Sequence, residues 1–165
     1  MLVKNILDED FINYKKPSMV IMCPYCTFKC DKECGEQVCQ NSALANSPNI
    51  DINYSDILKR YLNNPITKAI VFSGLEPFDS FVDMYLMIQM LRSNGCEDDV
   101  VIYTGYYEHE ISAMKLHSVS YLNILKQLSP VVIKYGRFKP NKKFRYDEVL
   151  GVKLASDNQY AVRYE

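Results

Sequence analysis

The chain has 165 residues, with 19 Lys and Arg against 20 Asp and Glu and a formal net charge of −1. That length predicts a single domain, 1–165, able to bury a core without metals or disulfides, and 48% hydrophobic with 24% charged residues excludes a disordered chain. The balanced charge disfavours a nucleic-acid binder, no uncharged apolar run is long enough to cross a membrane, and the early acids Asp8, Glu9 and Asp10 do not suit a secretory signal, so a cytoplasmic location is expected.

In chain order, Met19-Val20-Ile21-Met22 predicts a buried strand that runs straight into a cysteine-rich segment, 23–48, read as a long loop. A loop of that length in a compact chain is expected to be functional or held by a ligand. Ser55 is the expected cap of a helix through Leu62, stopped by Asn63-Asn64-Pro65. Residues 68–72 predict a second strand, ending in Ser73-Gly74-Leu75-Glu76-Pro77, and 81–91 an amphipathic helix closed by Asn94-Gly95. Within that helix Met84, Met87 and Met90 read as core filler. A third strand at 100–103, helices at 108–116 and 121–128, a fourth strand at 131–134 and a last one at 160–164 complete the series.

The alternation of strands and helices predicts an α/β fold with a mostly parallel sheet, whose strand ends share one face. Every unusual stretch follows a strand: the cysteines after the first, Gly74 to Pro77 after the second, Tyr103-Thr104-Gly105 after the third, and Tyr135-Gly136-Arg137 after the fourth. That shared face is therefore the predicted site.

Five of the six cysteines, Cys23, Cys26, Cys30, Cys34 and Cys39, lie between positions 23 and 39. In a reducing compartment such a cluster points to metal ligands or redox thiols rather than disulfides. Cys23-Pro24-Tyr25-Cys26 has the spacing of a dithiol redox motif, which requires a low-pKa thiolate opening a helix. Four of the five thiolates could close a structural zinc tetrahedron. An iron–sulfur cluster is the third reading; if three thiolates bind a cubane, one iron keeps an open position.

Here the residues resemble a family. Cys26-Thr27-Phe28-Lys29-Cys30 with Cys39-Gln40-Asn41 is similar to the radical S-adenosylmethionine (SAM) signature, a C-x3-C-x2-C run followed by a polar residue and Asn. Eight residues rather than two separate Cys30 from Cys39, so Asp31 to Val38 reads as an insertion carrying Cys34. Cys26, Cys30 and Cys34 remain the alternative trio. Gly74-Leu75-Glu76-Pro77 resembles the Gly-Gly-Glu-Pro turn that binds the SAM amino group in that family. Tyr103-Thr104-Gly105-Tyr106, Tyr135-Gly136-Arg137-Phe138 and the tail from Leu154 to Gln159 are similar to segments of anaerobic ribonucleotide reductase activating proteins.

The resemblance implies a partial (β/α) barrel of mostly parallel strands. It implies a [4Fe–4S] cluster on Cys26, Cys30 and Cys39, and SAM held by Gly74, Leu75, Glu76, Pro77, Thr104 and Lys134. The activity implied is reductive cleavage of SAM to a 5′-deoxyadenosyl radical, directed at a glycine of a partner glycyl radical enzyme, anaerobic ribonucleotide reductase. Another peptide or small-molecule substrate, and a zinc-binding interaction module without activity, are the alternatives. Two side-chain groups carry competing readings. Lys134 is either an anchor for a ligand carboxylate or a solvated lysine. The basic run Arg137, Lys139, Lys142, Lys143 and Arg145 is read as a solvated loop or as a docking face for an acidic electron donor such as flavodoxin or ferredoxin, with nucleic-acid binding as the third reading. His109 and His117 are expected on the surface, and Cys96 is read as a small apolar or surface residue.

Overall fold

A computed structural model describes residues 1–165. The first third of the chain forms β1 (Leu2–Val3), β2 (Asn5–Asp10), β3 (Ser18–Cys23), α1 (Lys29–Cys34), α2 (Ser42–Ala45), β4 (Ile50–Asp51) and α3 (Tyr54–Leu62). The middle holds β5 (Ala69–Gly74), a 3-10 turn at Pro77–Ser80, α4 (Phe81–Ser93), β6 (Asp99–Tyr103) and α5 (Glu108–Ala113). Then follow β7 (Lys115–Leu116), β8 (Val119–Ser120), α6 (Tyr121–Lys126), β9 (Val131–Tyr135), β10 (Arg145–Asp147), β11 (Val152–Leu154) and β12 (Tyr160–Tyr164).

One six-stranded sheet, in the order β12-β9-β6-β5-β3-β2, organises the molecule. Its centre, β3, β5, β6 and β9, is parallel, as the strand–helix rhythm predicts. Both outer strands are antiparallel. β2 has no counterpart in the sequence reading because only Ile6 and Asp10 of its six residues are buried, the pattern of an edge rather than a core strand. The linear strand order leaves two edges.

The central strands are covered on both faces, which is why they read as continuous apolar runs. Register puts Met19, Ile70, Val100 and Val131 in one row and Ile21, Phe72, Ile102 and Ile133 in another, both packed in the larger core beneath α3 to α6. Met84 and Met87 fill that core without exposure. The intervening row, Val20, Val71, Val101 and Val132, faces a smaller core with Tyr14, Leu150 and Leu154. Each such side chain withdrawn from water contributes roughly 1.5–3 kcal/mol. Along the same face, Met22, Ser73, Tyr103 and Lys134 reach the C-terminal ends of the strands, where apolar packing gives way to a cavity.

Some boundaries differ from expectation. α3 is capped by Asn53, not Ser55. The helix expected over 108–116 stops at Ala113; Met114 is extended, and Lys115–Leu116 pairs with Val119–Ser120 around His117 and Ser118, both at positive φ. Two short helices, α1 and α2, occupy part of the segment read as a loop over 23–48. No helix is long and apolar enough to cross a membrane.

Candidate functional site

A cavity of about 450 Å³ lies at the C-terminal ends of the four parallel strands. Its wall brings together Cys26, Cys30, Cys39, Gln40 and Asn41 from the cysteine segment, Gly74, Leu75 and Glu76 from the turn after β5, Thr104 and Gly105 after β6, and Lys134, Gly136 and Phe138 from β9 and beyond. Pro77, Cys23 and Cys34 are not on that wall. Ile12 and Asn13 from the β2–β3 connection and Val152 to Ala155 close the far side, contributions that no local pattern in the sequence announces.

The three thiols arrive by a specific path. Cys23 ends β3 with its side chain sealed in the helix-side core, where burial pushes the thiol well above its ordinary range. That environment is the opposite of what a redox dithiol needs. The Phe28 N–H donates to Cys26 Sγ at 3.2 Å, and Phe28 itself turns left-handed at φ 52° to start α1. α1 delivers Cys30 to the cavity. Gly35, also left-handed, then ends the helix. Asp31 Oδ1 accepts from the N–H groups of Val38 and Cys39 at 2.9 and 2.8 Å, folding the chain back on itself. The eight-residue spacing is thus an excursion closed by Asp31, and it returns Cys39 to the wall that holds Cys26 and Cys30. Asn41 Nδ2 donates to the Gly74 carbonyl at 2.6 Å, tying the end of the segment to the turn after β5.

Burial pushes the Cys26 thiol up to about 12 against the Phe28 N–H, and pushes Cys30 up as well; a charge on Cys39 opposes ionisation of both. No three His, Cys, Asp or Glu side chains converge as ligands of one metal ion. Soft sulfur donors spread around a single cavity suit a polynuclear iron–sulfur cluster, in which separate irons take separate thiolates. The donor set therefore fits a [4Fe–4S] cluster, which Cys26, Cys30 and Cys39 on that wall would hold.

A second part of the wall is built on Glu76. Its Oε1 accepts from the Phe78 N–H at 3.1 Å and from Thr104 Oγ1 at 2.7 Å, and its Oε2 accepts from the Gly105 N–H at 2.9 Å. Burial raises this carboxyl to about 7 despite those three donors. Pro77 opens the 3-10 turn that Glu76 caps, a position where its missing N–H costs nothing. Gly74 sits at φ +80°, and a Cβ there would lie 2.8 Å from Met22 Cβ, so both conformation and space require glycine.

Lys134 is not a solvated lysine. It is 7% exposed, and its Nζ donates to the carbonyls of Thr104 and Gly136 at 3.3 and 2.9 Å. Burial lowers its pKa to about 8, although Glu76 and Cys30 favour the charge. No carboxylate lies within 4.0 Å of it. Two of the three ammonium protons are used, so one donor remains on a cavity wall.

Arg137 departs from the solvated-loop reading in the same way. It is 2% exposed and grips Glu110 with two nitrogens, at 2.9 and 2.7 Å, while its Nε lies 3.1 Å from Glu33 on α1. Lys29 of α1 reaches the same Glu110 at 3.2 Å. The cysteine helix is therefore clamped to α5 and to the end of β9. Tyr106 adds a second tie, its OH donating to Asp79 at 2.6 Å, while the Thr27 N–H reaches the same carboxylate at 2.8 Å. Asp31, Asp79 and Glu110 are the supporting residues that sequence reading misses, because each partner lies several to many positions away. The two histidines take no part; His109 instead borders a shallow depression with Tyr107 and Tyr160, away from the thiols.

Fold and donor set together define an iron–sulfur protein. The family model described as 4Fe-4S single cluster domain matches residues 18–159, from the first residue of β3 to the threshold of β12, and the chain belongs to that family. No curated protein matches the sequence.

Proposed function

We propose that this iron–sulfur protein is a radical SAM enzyme of the activating type. The observation that carries the reading is one cavity lined by three thiols, Cys26, Cys30 and Cys39, together with Gly74, Glu76 and Lys134, and with no fourth cysteine on its wall. A cluster held by three thiolates keeps one iron open, and the chemistry it supplies there is one-electron cleavage of the SAM sulfonium to methionine and a 5′-deoxyadenosyl radical.

The chain's own residues do the rest. Gly74 brings backbone to the wall with no side chain in the way, and Glu76, anchored by three donors, presents carboxylate lone pairs for an ammonium group. Lys134 keeps one proton available for a carboxylate. Tyr103, Val20, Met22 and Leu154 line the remainder and exclude water from a reactive radical. Thr104 fixes Glu76 through its hydroxyl and Lys134 through its carbonyl, coupling the two charged groups. The proposed substrate is a glycine in a partner glycyl radical enzyme, with anaerobic ribonucleotide reductase favoured by the similarity of the strand-end segments; another peptide or a small molecule is the alternative substrate.

Anaerobic reconstitution with iron, sulfide and zinc analysis tests the proposal. About four irons and four sulfides per chain are expected, with 5′-deoxyadenosine released on addition of SAM and dithionite. One tightly held zinc with no SAM cleavage identifies an interaction module instead. Alanine at Cys26, Cys30 or Cys39 should abolish cluster content, whereas Cys23→Ala and Cys34→Ala should retain it. Loss in Cys34→Ala with retention in Cys39→Ala would reassign the third ligand.

A further inference from the structure

Between Pro24 and Ile57 no residue is buried, and neither α1 nor α2 contributes a side chain to the core. Apolar burial therefore does not decide where the cysteines of this segment sit, and polar ties must. Cys26 and Cys30 are held on the side of α1, by Asp79 through the Thr27 N–H and by the clamp of Lys29 and Arg137 on Glu110. Cys39 lies beyond Gly35, outside that clamp. It begins a compact unit. The Cys39 carbonyl accepts from the Ser42 N–H at 3.4 Å, and the Asn41 carbonyl accepts from the N–H groups of Leu44 and Ala45 at 3.0 and 3.3 Å. Because these hydrogen bonds close successive turns, a restraint on one end of the unit reaches the other.

Asp31 fixes the first end, through the Val38 and Cys39 N–H groups. The second end is fixed by a residue far away in sequence. Lys4 is 8% exposed, and its Nζ donates to the carbonyls of Ala45 and Ser47 at 3.1 and 2.5 Å. No carboxylate lies within 4.0 Å of that ammonium. A buried cation is costly unless it is hydrogen-bonded, and the carbonyls at the end of α2 supply those bonds. The base of Lys4 is rigid. Its N–H donates to the Met22 carbonyl at 2.7 Å, Val3 beside it is fully buried, and Leu2–Val3 pairs with Ile50–Asp51 just past the unit. On its other side the unit rests on the turn after β5: a Cβ at Gly74 would lie 3.2 Å from Leu44 Cδ2, and Asn41 Nδ2 donates to the Gly74 carbonyl.

We propose that Lys4 is a positioning residue for the cluster: its ammonium anchors the Cys39–Ser47 unit from behind, so that Cys39 is seated on the cavity wall before iron arrives. The proposal rests on the reading of Cys39 as a cluster ligand. Lys4 is not itself on the cavity wall, so it acts through the unit it holds. Asp31 and Lys4 together restrain both ends, which lets a thiol eight residues beyond Cys30 be presented as firmly as one on a short turn. A ligand held ready loses less freedom when it binds, and groups that orient metal ligands change metal affinity about 10–100-fold. A lysine that merely capped α2 would steady Ala45 and leave the cluster unaffected.

The test compares the wild type with Lys4→Met and Lys4→Arg in the full chain, both metal-free and anaerobically reconstituted. In the metal-free chain the amides of Cys39, Leu44 and Ala45 should exchange hydrogen about fivefold or more faster in Lys4→Met, while those of β5 and β6 exchange as in the wild type. In the reconstituted chain a chelator should strip iron from Lys4→Met about tenfold or more faster, and the electron paramagnetic resonance spectrum of the reduced cluster should change. Lys4→Arg keeps a charged donor and should recover both properties. If Lys4→Met does not fold, Lys4→Gln takes its place with the same expectations. Equal acceleration in β5 and β6, acceleration confined to Leu44 and Ala45, or unchanged iron retention each overturns the positioning role. Full iron content in Cys39→Ala would remove Cys39 from the ligand set and overturn the role in the cluster, while exchange in the metal-free chain still decides whether Lys4 seats residue 39.

Discussion

Replacing Arg137 with Met removes a charge while keeping an unbranched apolar stem, and it isolates the clamp that holds α1. In the native protein Glu110 receives two guanidinium nitrogens at 2.9 and 2.7 Å, the Tyr107 N–H at 2.9 Å and Lys29 at 3.2 Å. Burial alone would raise this carboxyl, but Arg137, the Tyr107 N–H and Lys29 together hold it down to about 2. Breaking a fully buried pair costs about 3–5 kcal/mol. Glu110 is 21% exposed and keeps two donors, so we expect less than that range, about 2–3 kcal/mol. For a chain of this size each kcal/mol moves the thermal midpoint by about 2–4 °C, which gives a drop of roughly 4–12 °C. The loss carries a pH signature. A carboxyl whose folded pKa is depressed contributes stability that is present above its unfolded value, near 4.5, and is lost as pH falls towards 2. The gap between wild type and Arg137→Met should therefore be full at neutral pH and shrink below about 4.5. Hydrogen exchange should show faster opening of the amides of α1 in the variant. An equal gap at pH 7 and pH 3, or unchanged exchange in α1, would refute the clamp.

Gly74→Ala should lower stability by about 2–4 kcal/mol in urea denaturation, combining the left-handed conformation with a Cβ placed 2.8 and 3.0 Å from Met22 Cβ and Cα. Gly95→Ala, at φ +74° with nothing within 4 Å, should cost only the conformational part, about 1–2 kcal/mol. Lys134→Met in the metal-free chain removes a buried charge whose folded pKa, about 8, lies below its ordinary 10.5. Its contribution is present above 10.5 and lost as pH falls through 8, so wild-type stability should rise relative to the variant by roughly 3 kcal/mol across that window. A difference flat in pH would show that Lys134 carries no buried charge.

The parallel centre of the sheet was legible because β3, β5, β6 and β9 are buried on both faces, which leaves an unbroken apolar signal in each. The ends of those strands also announced the site, since cysteines, a Gly-x-Glu-Pro turn and Tyr-Gly-Arg are each conspicuous locally. What stayed hidden was pairing at a distance. β2 is polar because it is an edge, and its membership depends on β3 lying beside it. Lys134 and Arg137 look like ordinary surface bases until Thr104, Gly136 and Glu110 are brought against them.

The residue types that can hold a cluster, and the strands that can carry them, were set by the order of amino acids alone, because local burial and ligand chemistry are properties of single segments. Which thiols share a cavity was decided only in three dimensions. Cys23 is turned into the core by the alternation of β3, and Cys39 is brought back by two hydrogen bonds to Asp31, a geometry that depends on the left-handed turn at Gly35 and the tie from Asn41 to Gly74.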